Sequence, residues 1–107
     1  MTGSFGEMGN LLKQAQEMQR QLDKLRAELA QTTVDGSSGG GAVRVTVTCD
    51  RHVQKISIAD EVLASGDKSL VEDMVLGALK DAMQKAEQLS QETVTKVTGG
   101  MVPPGMF

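Results

Sequence analysis

Cys49 and His52 are the residues of this 107-residue chain whose types could do covalent or metal chemistry. A structural zinc site takes four ligands, and the chain contains one Cys and one His. As a nucleophile and base the pair would need an orienting group and a pocket. Asp50 is adjacent, but neighbours along a strand point to opposite faces. Cys49 therefore reads as a small core residue and His52 as a turn residue. The run Gly39-Gly40-Gly41 lacks both the G-x-x-x-x-G-K-S/T pattern of a phosphate loop and a helix directly after it. No catalytic motif is present, and the chain reads as a non-enzyme without cofactor, metal or small-molecule substrate.

The cations remain as functional candidates, and their distribution says more than their number. Lys and Arg total 11 against 14 Asp and Glu, for a net charge of −3 and a sequence pI near 5.0. That speaks against a uniformly basic nucleic-acid binder. Residues 7–31 are neutral, residues 42–58 are net +2, and the acid excess lies in residues 59–98, at −4. A single cysteine excludes an internal disulfide and points to a reducing compartment. No run approaches the roughly 18 apolar residues of a membrane span, and the first ten residues do not resemble a secretion signal. The chain reads as cytoplasmic, with no membrane partner.

The elements that must position these cations begin with a hairpin. Val43, Val45, Val47 and Cys49 alternate with Arg44, Thr46, Thr48 and Asp50, the period-two pattern of a half-buried strand. The polar Asp50-Arg51-His52 reads as its turn, and Val53–Ile58 as the returning strand. Thr32–Val34 is a candidate short strand, and Asp35–Gly41 a flexible connection. Residues 59–66 read as a turn, with one helical turn around Glu61-Val62-Leu63.

Long helices flank the hairpin. Met8, Leu11, Ala15, Met18, Leu22, Leu25 and Leu29 alternate steps of three and four, a heptad seam, with Asn10 or Ser4 as candidate caps. Lys13, Arg20 and Lys24 fall on the opposite, exposed face. Asp67 is the expected cap of a second helix over residues 68–98, where Val71, Val75, Ala78, Ala82, Ala86, Leu89, Thr93 and Val97 trace one stripe. Leu76, Leu79, Met83 and Val94 lie beside it, and the alanines form a ridge that a neighbouring helix could approach closely. Residues 1–7 and 99–107 are expected to be flexible tails of a single domain.

Two chains are expected to pair. The second helix would be about 46 Å long at 1.5 Å per residue, whereas a compact domain of this size has a radius of gyration near 13 Å. The helix should overhang, and with two Phe and no Trp or Tyr the core is short of bulk. The competing arrangement is an antiparallel helix pair covering most of its own length. Val43, Val45, Val47, Val75, Ala78, Ala82 and Ala86 are the expected dimer contacts.

Asn10-Leu11-Leu12-Lys13-Gln14-Ala15-Gln16-Glu17-Met18-Gln19, the Gly-rich step, the Val43-to-Cys49 strand and the closing Gly100-Met101-Val102-Pro103-Pro104-Gly105-Met106 together resemble the YbaB/EbfC family of bacterial nucleoid-associated proteins. The resemblance spans essentially the whole chain. It implies an α+β protomer of order α-β-β-β-α with a small three-stranded antiparallel sheet. It also implies a tweezer-like homodimer joined through that sheet, double-stranded DNA as partner, a nucleoid location and a role in gene expression. Two features depart from the family pattern: the Asp50-Arg51-His52 turn lacks the common Asn-Gly, and the last helix is acidic.

The resemblance implicates the N- and C-terminal helices in DNA contact, with Lys13 in the matching segment and Arg20 and Lys24 extending its face; the expected contacts are these three, then Arg44, Arg51 and Lys55 of the hairpin, then Lys85 and Lys96. Their chemistry would be phosphate neutralisation with counterion release. The bland alternative is that each cation solvates a surface and pairs with a neighbour, as Lys24 could with Glu28. At the level of the whole chain the alternative is a protein–protein adaptor using the helical seam or the apolar C-terminal residues.

Overall fold

The structure, a computed structural model, describes residues 2–99, with the side chains of 2–5 and 98 excluded. The chain runs through helix α1 (Thr2–Gln31), strands β1 (Thr33–Ser38), β2 (Val43–Thr48) and β3 (Val53–Ile58), the short helix α2 (Asp60–Ala64) and helix α3 (Lys68–Thr98). The strands form one antiparallel sheet of order β1-β2-β3. This is the expected α-β-β-β-α order, and the short helix α2 falls where one helical turn was read around Glu61-Val62-Leu63.

The alternation in β2 holds from Val43 to Val47 and fails at Thr48, which is buried where a wet position was expected. Val43, Val45 and Val47 are fully buried and Cys49, just past the strand, is nearly so, while Arg44 is exposed. The hairpin turn is closed by the Thr48 side chain, which accepts the His52 N–H at 3.0 Å and donates to the Asp50 carboxylate. Arg51 occupies the left-handed region at φ 70°, the conformation an Asn-Gly turn would otherwise supply. A bulge follows: Thr46 pairs with Lys55 and Val47 with Val53, leaving Gln54 as the extra residue.

The first strand is longer than expected. Thr33–Ser38 pairs along its whole length with β2, so Asp35-Gly36-Ser37-Ser38 is sheet and not flexible connection. The reason lies outside the segment. Gly36 sits beneath α3, where a Cβ would collide with the Ala78 carbonyl and the Ala82 backbone nitrogen. Glycine, a poor strand former in isolation, is here the residue that lets helix and sheet touch. Only Gly39-Gly40-Gly41 turns the chain, at φ 60°, 68° and 96°, a succession of left-handed residues that other amino acids rarely adopt.

α3 packs over β1 and β2. Ala78, Ala82 and Ala86 are 0% exposed and form the core with Val43, Val45 and Val47, flanked by Val34, Ile58, Met74, Val75, Leu79 and Met83. Six of the seven expected dimer contacts are therefore already covered within one chain. The three valines and three alanines are consumed inside one chain, and Val75 packs beside them. The alanine ridge receives a sheet, because a face of methyl groups opposite a glycine permits closer approach to backbone than to another helix.

A second cluster joins Leu25, Leu29, Cys49 and Val94, with Val34 and Leu89 against it. There α1 and α3 meet, and only near their C-terminal ends. The chain is 77 × 19 × 17 Å with a radius of gyration of 20.6 Å, far from compact. The antiparallel pairing over most of the helix length is therefore not adopted, and the element that overhangs is the N-terminal half of α1. That helix begins at Thr2, so Ser4 and Asn10 lie within it rather than capping it, and residues 2–7 extend the rod. α3 starts as expected, with the Asp67 carboxylate accepting the Leu70 N–H at 3.1 Å, and ends on left-handed Gly99. The remainder of the expected C-terminal tail, residues 100–107, lies outside the described residues.

The two edges of the sheet differ. On β1 the Ser37 N–H donates to the Asp81 carboxylate at 3.0 Å, and the Asp35 carbonyl accepts from Lys85 Nζ at 3.3 Å. Asp81 and Lys85 also pair with each other at 3.1 Å. α3 thereby occupies backbone groups that a further strand would need. Among the described residues no side chain hydrogen-bonds β3, and its Val53 and Ile56 are 47% and 48% exposed on the face they share with Val47 and Val45.

Two outcomes follow. Gly36→Ala is expected to destabilise the chain by about 1–3 kcal/mol through overpacking against α3, read as a lower midpoint in urea; an unchanged midpoint would contradict the close approach. Asp81 is held below its ordinary carboxyl pKa by the Ser37 N–H and then by Lys85. Its contribution is thus present above the unfolded pKa of about 3.9 and lost as pH falls through the lower folded value. Asp81→Asn should lower the thermal midpoint at neutral pH, and the difference from the parent chain should shrink on acidification below pH 4.

Candidate nucleic-acid interface

The heptad periodicity of α1 dictates which side of the rod is free. Leu25 and Leu29 face inward and are buried, so Lys13, Arg20 and Lys24, on the opposite side, are exposed. Among the described residues Lys13 and Lys24 form no ion pair, so the pairing of Lys24 with Glu28 offered as the alternative is not made. Arg20 is tied to Glu17 at 3.1 Å, with both side chains largely in solvent, a contact worth little. The three cations span about 16 Å along the helix at 1.5 Å per residue.

The hairpin cations separate into two places. Arg44 pairs with Ser57 and Lys55 with Thr46 across the ladder, which puts both on the open face of the sheet, away from α3. Arg44 Nε donates to the Gly41 carbonyl at 3.4 Å, and beside them Thr46 donates to the Asp35 carboxylate at 2.6 Å. Arg51 stands at the other end of the hairpin, with Glu87 of α3 at 3.9 Å. It lines a cleft of about 340 Å³ with Arg26, Leu29, Cys49, Asp50 and Ser90.

Of the α3 candidates, Lys85 is engaged structurally with Asp81 and the Asp35 carbonyl, as described above. Lys96 is exposed in the last turn, where a cation suits the negative end of the helix dipole. The structure thus gathers Lys13, Arg20 and Lys24 on one face and Arg44 with Lys55 on another, but does not bring all eight candidates together. It also shows two cations that the sequence reading passed over. Arg26 shares the cleft with Arg51, and Lys80 lines a shallow groove with Arg51, Met83 and Glu87. Arg26 flanks the heptad seam, which was the signal available; Lys80 meets Arg51 only because α3 crosses the hairpin.

Asp50 lies in the turn read from Asp50-Arg51-His52 and reaches His52, whose Nδ1 is 3.0 Å from its carboxylate. Hydrogen bonding from Thr48 and then His52 holds the Asp50 carboxyl below its usual range. The Cys49 side chain points instead into the core with Leu25, Leu29 and Val94, and burial followed by the Asp50 charge pushes its thiol up. Thiol and imidazole therefore belong to different environments. Among the described residues no three His, Cys, Asp or Glu side chains converge as metal ligands, and no helix is long and apolar enough to cross a membrane.

Two long helices around a small sheet, with cations exposed on one face of α1 and on the open sheet face, define an α+β scaffold that presents charge along an extended surface. The chain belongs to the YbaB/EbfC DNA-binding family, whose pattern matches residues 5–101. Its fold is similar to that of the uncharacterized protein HP0035 from Helicobacter pylori, seen in a crystal structure. The two share 24% identity over 89% of this chain and 97% of that one, with a TM-score of 0.72.

Because the thiolate is the reactive form and burial disfavours it, Cys49 should react with an aromatic disulfide reagent at pH 8 roughly tenfold or more slowly in the native chain than in denaturant. Equal rates in a stopped-flow absorbance assay would place the thiol at the surface.

Proposed function

We propose that this chain is a homodimeric, nucleoid-associated protein that binds double-stranded DNA chiefly through phosphates and so helps to organise the bacterial chromosome and influence gene expression. The observation that carries the reading is the free face of α1. Lys13, Arg20 and Lys24 stand in solvent on a rod whose N-terminal half lies clear of the sheet, within a chain belonging to a DNA-binding family. DNA presents one charge per about 1.7 Å of axis, so a rod of this length can meet several phosphates at once. Arg44 and Lys55 on the open sheet face supply a second contact area, with Arg51 and Lys96 at its margins. Lys85 is the weakest of the eight candidates, since its charge is already committed within α3 and β1. Sequence preference would come from shape and arm spacing, because phosphate contacts position a protein without reading bases.

Homodimerisation through the sheet is supported by the contrast between its edges. α3 occupies outward groups of β1, while β3 offers a free edge and two half-exposed apolar side chains. A second copy pairing there would continue the ladder and cover Val53 and Ile56. The acidic surface of α3 favours contact by α1 and the sheet over contact along α3, since like charge repels phosphate.

Titration of the full chain with duplex DNA at two or more salt concentrations tests the reading. Affinity should fall steeply with salt, and replacing Lys13, Arg20 and Lys24 by Gln should weaken binding and reduce the log–log salt slope by about 3, with the thermal midpoint retained. Unchanged affinity in that variant would remove these residues from the interface. No binding by the parent chain even at low salt would favour the protein–protein adaptor. Sedimentation at micromolar concentration should give a dimer, which Ile56→Lys should dissociate.

A further inference from the structure

The apolar seam of α1 is used over only part of its length. Leu25 and Leu29 are 2% and 4% exposed, whereas Met8, Leu11 and Leu12 are 66%, 64% and 61% exposed. α3 runs antiparallel to α1 beside the used part: Ser90 shares a cleft with Arg26 and Leu29, Val94 packs with Leu25 and Leu29, and Val97 lies with Gln21, Lys24 and Leu25. α3 ends at Thr98 and left-handed Gly99, close to where the seam becomes exposed.

The eight residues that follow, Gly100-Met101-Val102-Pro103-Pro104-Gly105-Met106-Phe107, carry no charged side chain. We propose that residues 100–107 dock along the exposed seam of α1 in the same chain, covering Met8, Leu11, Leu12, Ala15 and Met18. The inference stands independently of DNA binding, because Lys13, Arg20 and Lys24 lie on the opposite side of the rod.

Three considerations select this occupant. The first is reach: eight extended residues span about 25 Å at roughly 3.1 Å each, and Met18 to Met8 is about 15 Å of helix. The second is chemistry. Leu12, Gln14 and Gln19, which flank the seam from Leu11 to Met18, are uncharged, and Glu7 stands only at its outer end, so an apolar strap covers that stretch without burying a charged group. The third is backbone. Left-handed Gly99 and the Pro103-Pro104 pair preclude a longer α3 as the cover, while the fixed φ of proline reduces the conformational entropy lost on docking.

A benzophenone side chain in place of Phe107 and hydrogen exchange by mass spectrometry test the placement in the full chain. The photoproduct should join residue 107 to residues 8–18 of its own chain, shown by a monomer-sized band on a denaturing gel and by the linked peptide. Amides of residues 8–18 should exchange several-fold more slowly in the full chain than in one ending at Gly99. Because Leu11 and Leu12 are exposed, the double substitution Leu11→Asn, Leu12→Asn should keep the fold and abolish both signals. Cross-links between two chains, cross-links to other regions, or equal exchange with and without residues 100–107 would overturn the proposal.

Discussion

The closeness of α3 to the sheet is the constraint from which the rest of the structure follows. A ridge of three alanines lies against three valines, and Gly36 leaves no Cβ between the first strand and the helix backbone. Contact at this distance lets a core without large aromatics reach close packing, because small side chains fill space when backbones approach. The helix that results is long, Lys68–Thr98, and the short sheet covers only part of it. The far end of α3 is then available to hold α1 through Leu25, Leu29, Cys49 and Val94.

The same placement makes the sheet asymmetric. With α3 seated over β1 and β2, its Asp81 and Lys85 come within reach of backbone groups on the outer side of β1. β3 lies farther from the helix: its Ile58 packs against the core, but its Val53 and Ile56 stay half exposed. A sheet with one edge occupied by its own helix limits further strand addition, in accord with the general need to manage exposed edges. The elongated outline has the same origin, since α1 is anchored only at its C-terminal end.

Net charge is a poor guide to contact with an anionic partner here. The acid excess is concentrated on α3, where Asp81 supports the fold and Glu87 approaches Arg51. The free face of α1 and the open face of the sheet present cations away from most of it. The distribution is a consequence of which face each element buries, and the total of −3 averages over surfaces that face in different directions.

Periodicity alone determined much of this protein. The two-residue alternation of Val43 to Cys49, the heptad seam of α1, the Asp67 cap and the limits of the second long helix were all legible because each is a local pattern with one favourable geometry. The exposed position of Lys13, Arg20 and Lys24 follows from the same seam. What only tertiary structure decided depends on the passage of one element over another. Asp35–Ser38 reads as loop until α3 is laid on it, and Gly36 then becomes the reason for the strand. The alanine ridge states that something comes close without stating what, so its partner is a sheet where a helix was equally consistent. Arg26 and Lys80 join Arg51 only through the crossing of helices and hairpin. Local sequence encodes the period of a burial pattern; the identity of the buried partner is settled by long-range packing, which no short window of residues contains.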